Sequence, residues 1–311
     1  MKKVSIIGSG NVGSTTALYL AEKKIADIYL IDVIEGLSEG KALDAEEGAP
    51  IRRYDTELRG TTDFSKLVDS DVVVVTAGIA REPGMSREDL LNTNAKIIKS
   101  VSEKIAKYTP NSVIIMVTNP LDVMAYVALK TTGFALKKVV GMAGILDSTR
   151  FRYFIAHKLG VSVRDTTAMV LGGHGDSMVP LPRYSTVGGI PIIELLPKDN
   201  IDKIIERTRK GGAEIVSYLK TGSAFYAPAA AVAEMVECII RDKRRILPCS
   251  AYLRGEYGIE GIFIGVPIML GKNGVEKIIE LELIPEEKEA LYTSGSAVKK
   301  VIEKLEELGV L

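Results

Sequence analysis

Imidazole is the side chain that takes up and returns a proton near neutral pH, and the chain contains two histidines. His157 closes a helix-like run, Phe151 to Lys158, three residues before Gly160. A histidine there complements the helix C-terminus, which is a structural role. His174 sits in Gly172-Gly173-His174-Gly175-Asp176 after an apolar run, with no bulky neighbour to shield it. It is the candidate general acid–base; the plainer reading is a turn histidine in a glycine loop.

Three other clusters have residue types suited to an anionic substrate. Asp147 and Arg150 are three apart, so on a helix they share a face. Taken alone they could equally be an ordinary ion pair, worth little at a surface. The segment Ala77 to Arg87 carries Arg81 and Arg87 between Gly78, Pro83 and Gly84, which reads as a mobile lid with two guanidinium groups. The alternative is a solvated basic loop. In Val117-Thr118-Asn119-Pro120 the Asn119 amide can donate to a substrate oxygen, or simply cap a helix.

The N-terminus supplies a place for a dinucleotide. Gly8-Ser9-Gly10-Asn11-Val12-Gly13 matches G-x-G-x-x-G, directly after a strand-like run and directly before a helix-like one. Gly8 permits the tight turn, Gly10 lets the backbone approach a pyrophosphate, and Gly13 lets the helix close on the strand. The pyrophosphate would then meet the unpaired N–H groups of a helix N-terminus. Asp32 follows Gly13 by 19 residues, at the end of the next strand-like run. A carboxylate there accepts bonds from ribose hydroxyls and repels a 2′-phosphate. Val33, Ile34 and Glu35 offer no arginine to neutralise one, so NAD is favoured over NADP.

The elements that must position these groups follow from the hydrophobic pattern. Val4 to Ile7, Ile28 to Ile31, Val72 to Val75 and Val113 to Val117 are short apolar runs, as in a parallel sheet covered on both faces. Helix-like segments over Val12–Lys24, Leu90–Tyr108 and Asp122–Thr131 alternate with them. The expected fold class is α/β, an N-terminal Rossmann-type doubly wound parallel sheet over 1–143. After about Gly144 the rhythm changes to an α+β pattern, read as a C-terminal substrate domain over 144–311. It contains helices near Asp147–Lys158, Asp202–Leu219, Pro228–Asp242 and Pro285–Leu308, a strand-like Thr166–Leu171, and a glycine-punctuated apolar stretch from Gly255 to Gly274.

Composition excludes several classes. Lys+Arg and Asp+Glu are both 40, so the formal net charge is +0, without the positive surplus that nucleic acid or an anionic membrane requires. No apolar run reaches the roughly 18 residues of a membrane span. The few residues before Gly8 are too short for a signal peptide. Cys238 and Cys249 are neither a disulfide framework nor a four-ligand metal site, so no metal and a reducing, cytoplasmic compartment are expected. The absence of Gln and Trp beside abundant Lys and Glu fits selection for heat resistance.

Five signatures together resemble the lactate/malate dehydrogenase family over essentially the whole chain. They are the glycine turn with Asp32, the arginine loop, Val-Thr-Asn-Pro, Leu146-Asp147-Ser148-Thr149-Arg150-Phe151-Arg152, and Gly-Gly-His-Gly-Asp. The resemblance implies that His174 exchanges the hydroxyl proton as hydride passes between the substrate carbon and the cofactor. It implies that Asp147 orients the imidazole, that Arg150 grips the C1 carboxylate, that Arg87 polarises the reacting carbonyl, and that Asn119 orients the same oxygen. Asn94 and the Val117 backbone would join Gly8, Gly10, Asn11, Val12, Gly13, Asp32 and Asn119 at the cofactor. Arg81 matches the position facing the far end of the substrate. Arginine there implies the dicarboxylates malate and oxaloacetate; glutamine would imply lactate. The wording around His174 and Lys220–Ala224 is similar to the lactate-dehydrogenase-like branch of malate dehydrogenases, which implies a homotetramer or homodimer. Three other readings are a lactate or other 2-hydroxy-acid dehydrogenase, an NAD-dependent glycoside hydrolase with a divalent metal, and a non-catalytic NAD sensor.

Overall fold

The protein is described here by a computed structural model covering residues 2–79 and 86–309. Six strands, β1 (Lys3–Ile7), β2 (Asp27–Ile31), β3 (Leu58–Thr61), β4 (Val72–Val75), β5 (Val113–Met116) and β6 (Val139–Gly141), form a parallel sheet in the order β6-β5-β4-β1-β2-β3. The four valines of β4 and the Val-Ile-Ile-Met of β5 are buried on both faces, as the continuous apolar runs require. The chain order reverses between β1 and β4, the switch point outside which doubly wound sheets bind ligands.

The first-half helices are α1 (Asn11–Lys23), α2 (Leu37–Arg52), α3 (Arg87–Tyr108) and α4 (Leu121–Thr132). Helix α3 starts in a capping box, with the Ser86 hydroxyl accepting from Asp89 N–H and the Asp89 carboxylate accepting from Ser86 N–H. Helix α2 has no counterpart in the hydrophobic pattern. It is mostly exposed and contains Gly40, Gly48 and Pro50.

The second half contains α5 (Gly144–Leu159), the short strands β7 (Thr166–Thr167), β8 (Val170–Leu171), β9 (Val179–Pro180), β10 (Thr186–Val187) and β11 (Ile190–Pro191), and the helices α6 (Ile192–Leu195), α7 (Lys198–Leu219) and α8 (Tyr226–Ile240). The expected strand over Thr166–Leu171 is thus two separate pieces in two sheets, β7 pairing with β10 and β8 with β9. A long meander follows, β12 (Arg245–Arg254), β13 (Glu260–Gly271) and β14 (Gly274–Ile278), and α9 (Pro285–Glu307) closes the described chain.

The meander does not make a separate sheet. Strand β12 pairs antiparallel with β6 at Ser250 and Gly141, giving one nine-stranded sheet, β14-β13-β12-β6-β5-β4-β1-β2-β3. A Cβ on Gly141 would lie 2.6 Å from Leu121 Cδ2 and 2.8 Å from Ser250 Cβ, so the seam admits only glycine there without a shift. The main hydrophobic core accordingly runs through both halves of the chain. A smaller cluster under α5 and α7 packs Phe151, Ile155, Ile201 and Ile204.

Candidate active site

The glycine turn lies where β1 ends. Gly8 has φ +107°, and a Cβ on it would sit 2.7 Å from Ala77 N. A Cβ on Gly13 would fall 1.9 Å from the Gly8 carbonyl oxygen. Gly10 differs: its Cβ would meet nothing within 4 Å among the described residues. It precedes the first residue of α1 without any side-chain cap, so the first N–H groups of that helix face open space that only a glycine leaves clear. This arrangement fits a pyrophosphate. Asp32, half-buried after β2, accepts from Ser9 N–H at 2.5 Å and Ile34 N–H at 3.1 Å, so it also ties the second strand end to the turn. Lys41 of α2 donates to the Ser9 carbonyl at 2.7 Å.

The ends of β4 and β5 are joined by Asn94 on α3. Its amide oxygen accepts from Ile79 N–H, and its amide nitrogen donates to the carbonyls of Ile79 and Asn119. The Asn94 side chain is buried, so it sets the positions of two loops from beneath them. Val117 N–H donates to the Val75 carbonyl, and Thr118 Oγ1 to that of Ala77. The Asn119 side chain is exposed. Arg81 lies outside the described residues. Arg87 is the first residue of α3, and its side chain likewise lies outside what is described.

The proton-transfer group assembles from α5 and the loop after β8. His174 Nδ1 lies 3.0 Å from Asp147 Oδ2, and Arg150 NH1 lies 3.8 Å from Asp147 Oδ1. A carboxylate accepts, so Nδ1 carries the proton and Nε2 is left to take one from a substrate. Burial by itself would lower the His174 pKa. The Asp147 charge, its hydrogen bond and the charge of Asp122 outweigh burial and the opposing Arg150, and hold it above the ordinary histidine value. Burial pulls the Arg150 pKa down, against the attraction of Asp147. Among the described residues its Nε is buried without a hydrogen-bond partner, as is Asp147 Oδ1, so the fork keeps donors for an incoming carboxylate. Helix α7 makes room for it: Cβ atoms on Gly211 and Gly212 would lie 3.2 Å and 3.8 Å from the Arg150 side chain.

Three anchors fix the His174 loop. Gly172 exchanges backbone hydrogen bonds with Gly265 of β13, Gly173 N–H donates to Ser294 Oγ of α9 at 2.8 Å, and His174 N–H donates to Asp122 Oδ2 of α4 at 3.1 Å. Asp122, Ser250, Ser294 and Gly211 do not stand out by motif. The available signal was Asp122 as the lone charge in the otherwise apolar Leu121–Leu129. His157 is exposed in the last turn of α5 and stacks on Tyr153.

Comparison with known proteins fits this geometry. Residues 2–141 match the model for the lactate/malate dehydrogenase NAD binding domain, and residues 145–308 match that for the lactate/malate dehydrogenase alpha/beta C-terminal domain. The chain belongs to the lactate/malate dehydrogenase family. Its first part is that family's NAD-binding domain, and NAD is its cofactor. Curated relatives include the malate dehydrogenases of Geobacillus sp. (strain WCH70), 56% identical over 98% of each chain, and Methanosarcina barkeri, 56% identical over 98% of this chain and 100% of that one. Among solved structures, malate dehydrogenase from Picrophilus torridus superposes with TM-score 0.96 at 51% identity over 98% of each chain. Lactate dehydrogenase from Cryptosporidium parvum, complexed with lactic acid and NAD, superposes with TM-score 0.95 at 42% identity, again over 98% of each.

Proposed function

We propose that the chain is a malate dehydrogenase, catalysing the reversible NAD-dependent oxidation of (S)-malate to oxaloacetate. The observation that carries the chemistry is the His174–Asp147–Arg150 cluster, with 3.0 Å and 3.8 Å separations. When bound, NAD supplies the acceptor for hydride from the alcohol carbon. His174 Nε2 takes the hydroxyl proton and returns it in the reverse reaction. Asp147 holds the tautomer and favours the imidazolium that forms. Arg150 binds the C1 carboxylate through two parallel N–H bonds, a geometry that a lysine does not reproduce. Gly8, Gly10, Asn11, Val12 and Gly13 seat the pyrophosphate and Asp32 the ribose. Asn94 acts by holding the Ile79 and Asn119 backbones beside Val117, and Asn119 orients the reacting oxygen. Arg87 polarises that oxygen.

Arg81 supports malate over lactate, the second reading, because a lactate dehydrogenase shares this fold at 42% identity. Pairing the far carboxylate with a guanidinium is worth about 1.5–3 kcal/mol. Pyruvate would leave that guanidinium unmatched, and such sites discriminate by on the order of 10⁴. Steady-state kinetics with NADH decides it: oxaloacetate is preferred strongly over pyruvate, and Arg81→Gln moves the preference toward pyruvate. Comparable kcat/KM values for the two acids would refute the reading.

The chain divides functionally at 143/144 in this reading. It acts as a cytoplasmic, heat-resistant homotetramer or homodimer in the tricarboxylic acid cycle. Exposed apolar side chains on α2 (Leu43, Ile51) and at the end of α7 (Tyr218, Leu219) support burial against a second copy, and light scattering on the purified protein measures the number of subunits.

A further inference from the structure

Two carboxylates hold His174 from different sides. Asp147 takes the ring, and Asp122 takes the main-chain N–H. Asp122 is 5% exposed, and its second oxygen accepts the Ser250 hydroxyl at 2.6 Å. Its neighbours along α4 are apolar and buried. A neutral acceptor would satisfy the same two donors without the desolvation cost of a buried charge, so the choice of a carboxylate requires a reason.

The surroundings supply one. His174 is faced by Asp147 and Arg150 from α5 and by Asp122 from α4. Asp122 in turn is faced by Ser250 from β12, by His174, and by the like charge of Asp147. Burial, with the like charge of Asp147, holds the Asp122 carboxyl above its ordinary value, against the opposing pull of the Ser250 hydroxyl, the His174 N–H and the imidazole charge. The groups that oppose its neutralisation are therefore parts of the proton-transfer loop and the sheet seam below it.

We propose that Asp122 is a positioning residue for His174, fixing the loop through its backbone amide and placing a second negative charge beside the imidazolium. It touches no reacting atom and acts through His174, so the inference rests on His174 being the proton carrier. A further side-chain anchor of the loop, Ser294 on Gly173 N–H, is neutral, which separates holding from charge.

The test is the pH dependence of kcat/KM for malate oxidation by the full-length enzyme. Asp122→Asn keeps an acceptor for His174 N–H and turns an N–H donor toward the Ser250 oxygen, reversing that bond, but loses the charge. The acid limb then moves to lower pH by about half a unit, and kcat falls several-fold with KM within about twofold. Ser294→Ala loosens the loop without a charge change, so it lowers kcat and leaves the limb in place. Superimposable profiles for Asp122→Asn and the parent enzyme, or an equal displacement in Ser294→Ala, overturn the proposal. If Asp122→Asn does not fold, Ser250→Ala replaces it, because losing the hydroxyl favours the neutral carboxyl. The limb moves the same way, and an unmoved limb overturns the proposal. His174→Asn separates the two layers of argument: it binds NADH but does not turn over. Turnover in that variant would defeat the assignment of His174 itself.

Discussion

Asp147 Oδ2 lies 3.0 Å from His174 Nδ1, at a carboxylate whose side chain is 2% exposed. The pair raises the His174 pKa, so the imidazole is protonated below that raised value and neutral above it. Malate oxidation needs the neutral form and rises with pH through the limb; oxaloacetate reduction needs the protonated form and falls. Asp147→Asn removes the charge and the tautomer control. We expect turnover to drop by about 10²–10⁴, with the limb displaced to lower pH. Paired pH–rate profiles in both directions check this, and a limb that stays fixed contradicts it.

The last two glycines of the turn should respond differently. Gly13→Ala forces a methyl group onto the Gly8 carbonyl, 1.9 Å from the ideal Cβ, at a cost of about 1–3 kcal/mol or more. Gly10→Ala places its methyl in open space and leaves folding intact, yet fills the ground above the α1 N-terminus. Thermal unfolding should fall only for Gly13→Ala, while NADH fluorescence titration should weaken for both. A destabilised Gly10→Ala protein would count against the placement of the cofactor.

Glu237 on α8 gathers Lys23 of α1 at 2.7 Å, Lys243 at 2.8 Å and Arg241 at 3.5 Å. Burial works to raise its pKa, but the bonds and charges of Lys23 and Lys243 prevail and hold it at about 2. The unfolded value is higher, near 4.5, so this group stabilises the fold above about pH 4.5, and the gain is lost as pH falls toward 2. The partners are substantially exposed, which screens the gain to on the order of 1–2 kcal/mol. Glu237→Gln should lower Tm at pH 7 and flatten its acid dependence between about pH 5 and 2. Calorimetry across that range decides it.

Cys238 and Cys249 are fully buried, burial pushes both thiols up, and Cys238 Sγ donates to the Leu270 carbonyl at 3.0 Å. The thiolate is the reactive form, so the native enzyme should resist thiol reagents at pH 8 and keep full activity. Titration with a chromogenic disulfide should find both thiols only after denaturation. Rapid native labelling would show that the sheet seam opens.

Much of the fold was legible because its signals are local. The valines of β4 announce a strand buried on both faces, and the glycine turn announces the junction of β1 and α1. Helix α2 was not legible, because a mostly exposed segment with Gly40, Gly48 and Pro50 lacks an apolar stripe. Strand β12 was hidden by Pro248 and by arginines at both ends. The split of Thr166–Leu171 between β7 and β8 depends on partners distant in sequence.

The sequence by itself determined the chemical inventory: which imidazole, which carboxylate and which guanidinium groups exist, and at which strand ends they fall. Residue type and short-range spacing suffice for that, since each motif is built within one turn or loop. Only the tertiary structure decided that Ser250 and Asp122, 128 positions apart, meet beneath His174, and that the second half extends the first half's sheet through Gly141. Those contacts follow from close packing across the seam, and packing is a property of surfaces that meet only once the whole chain has folded.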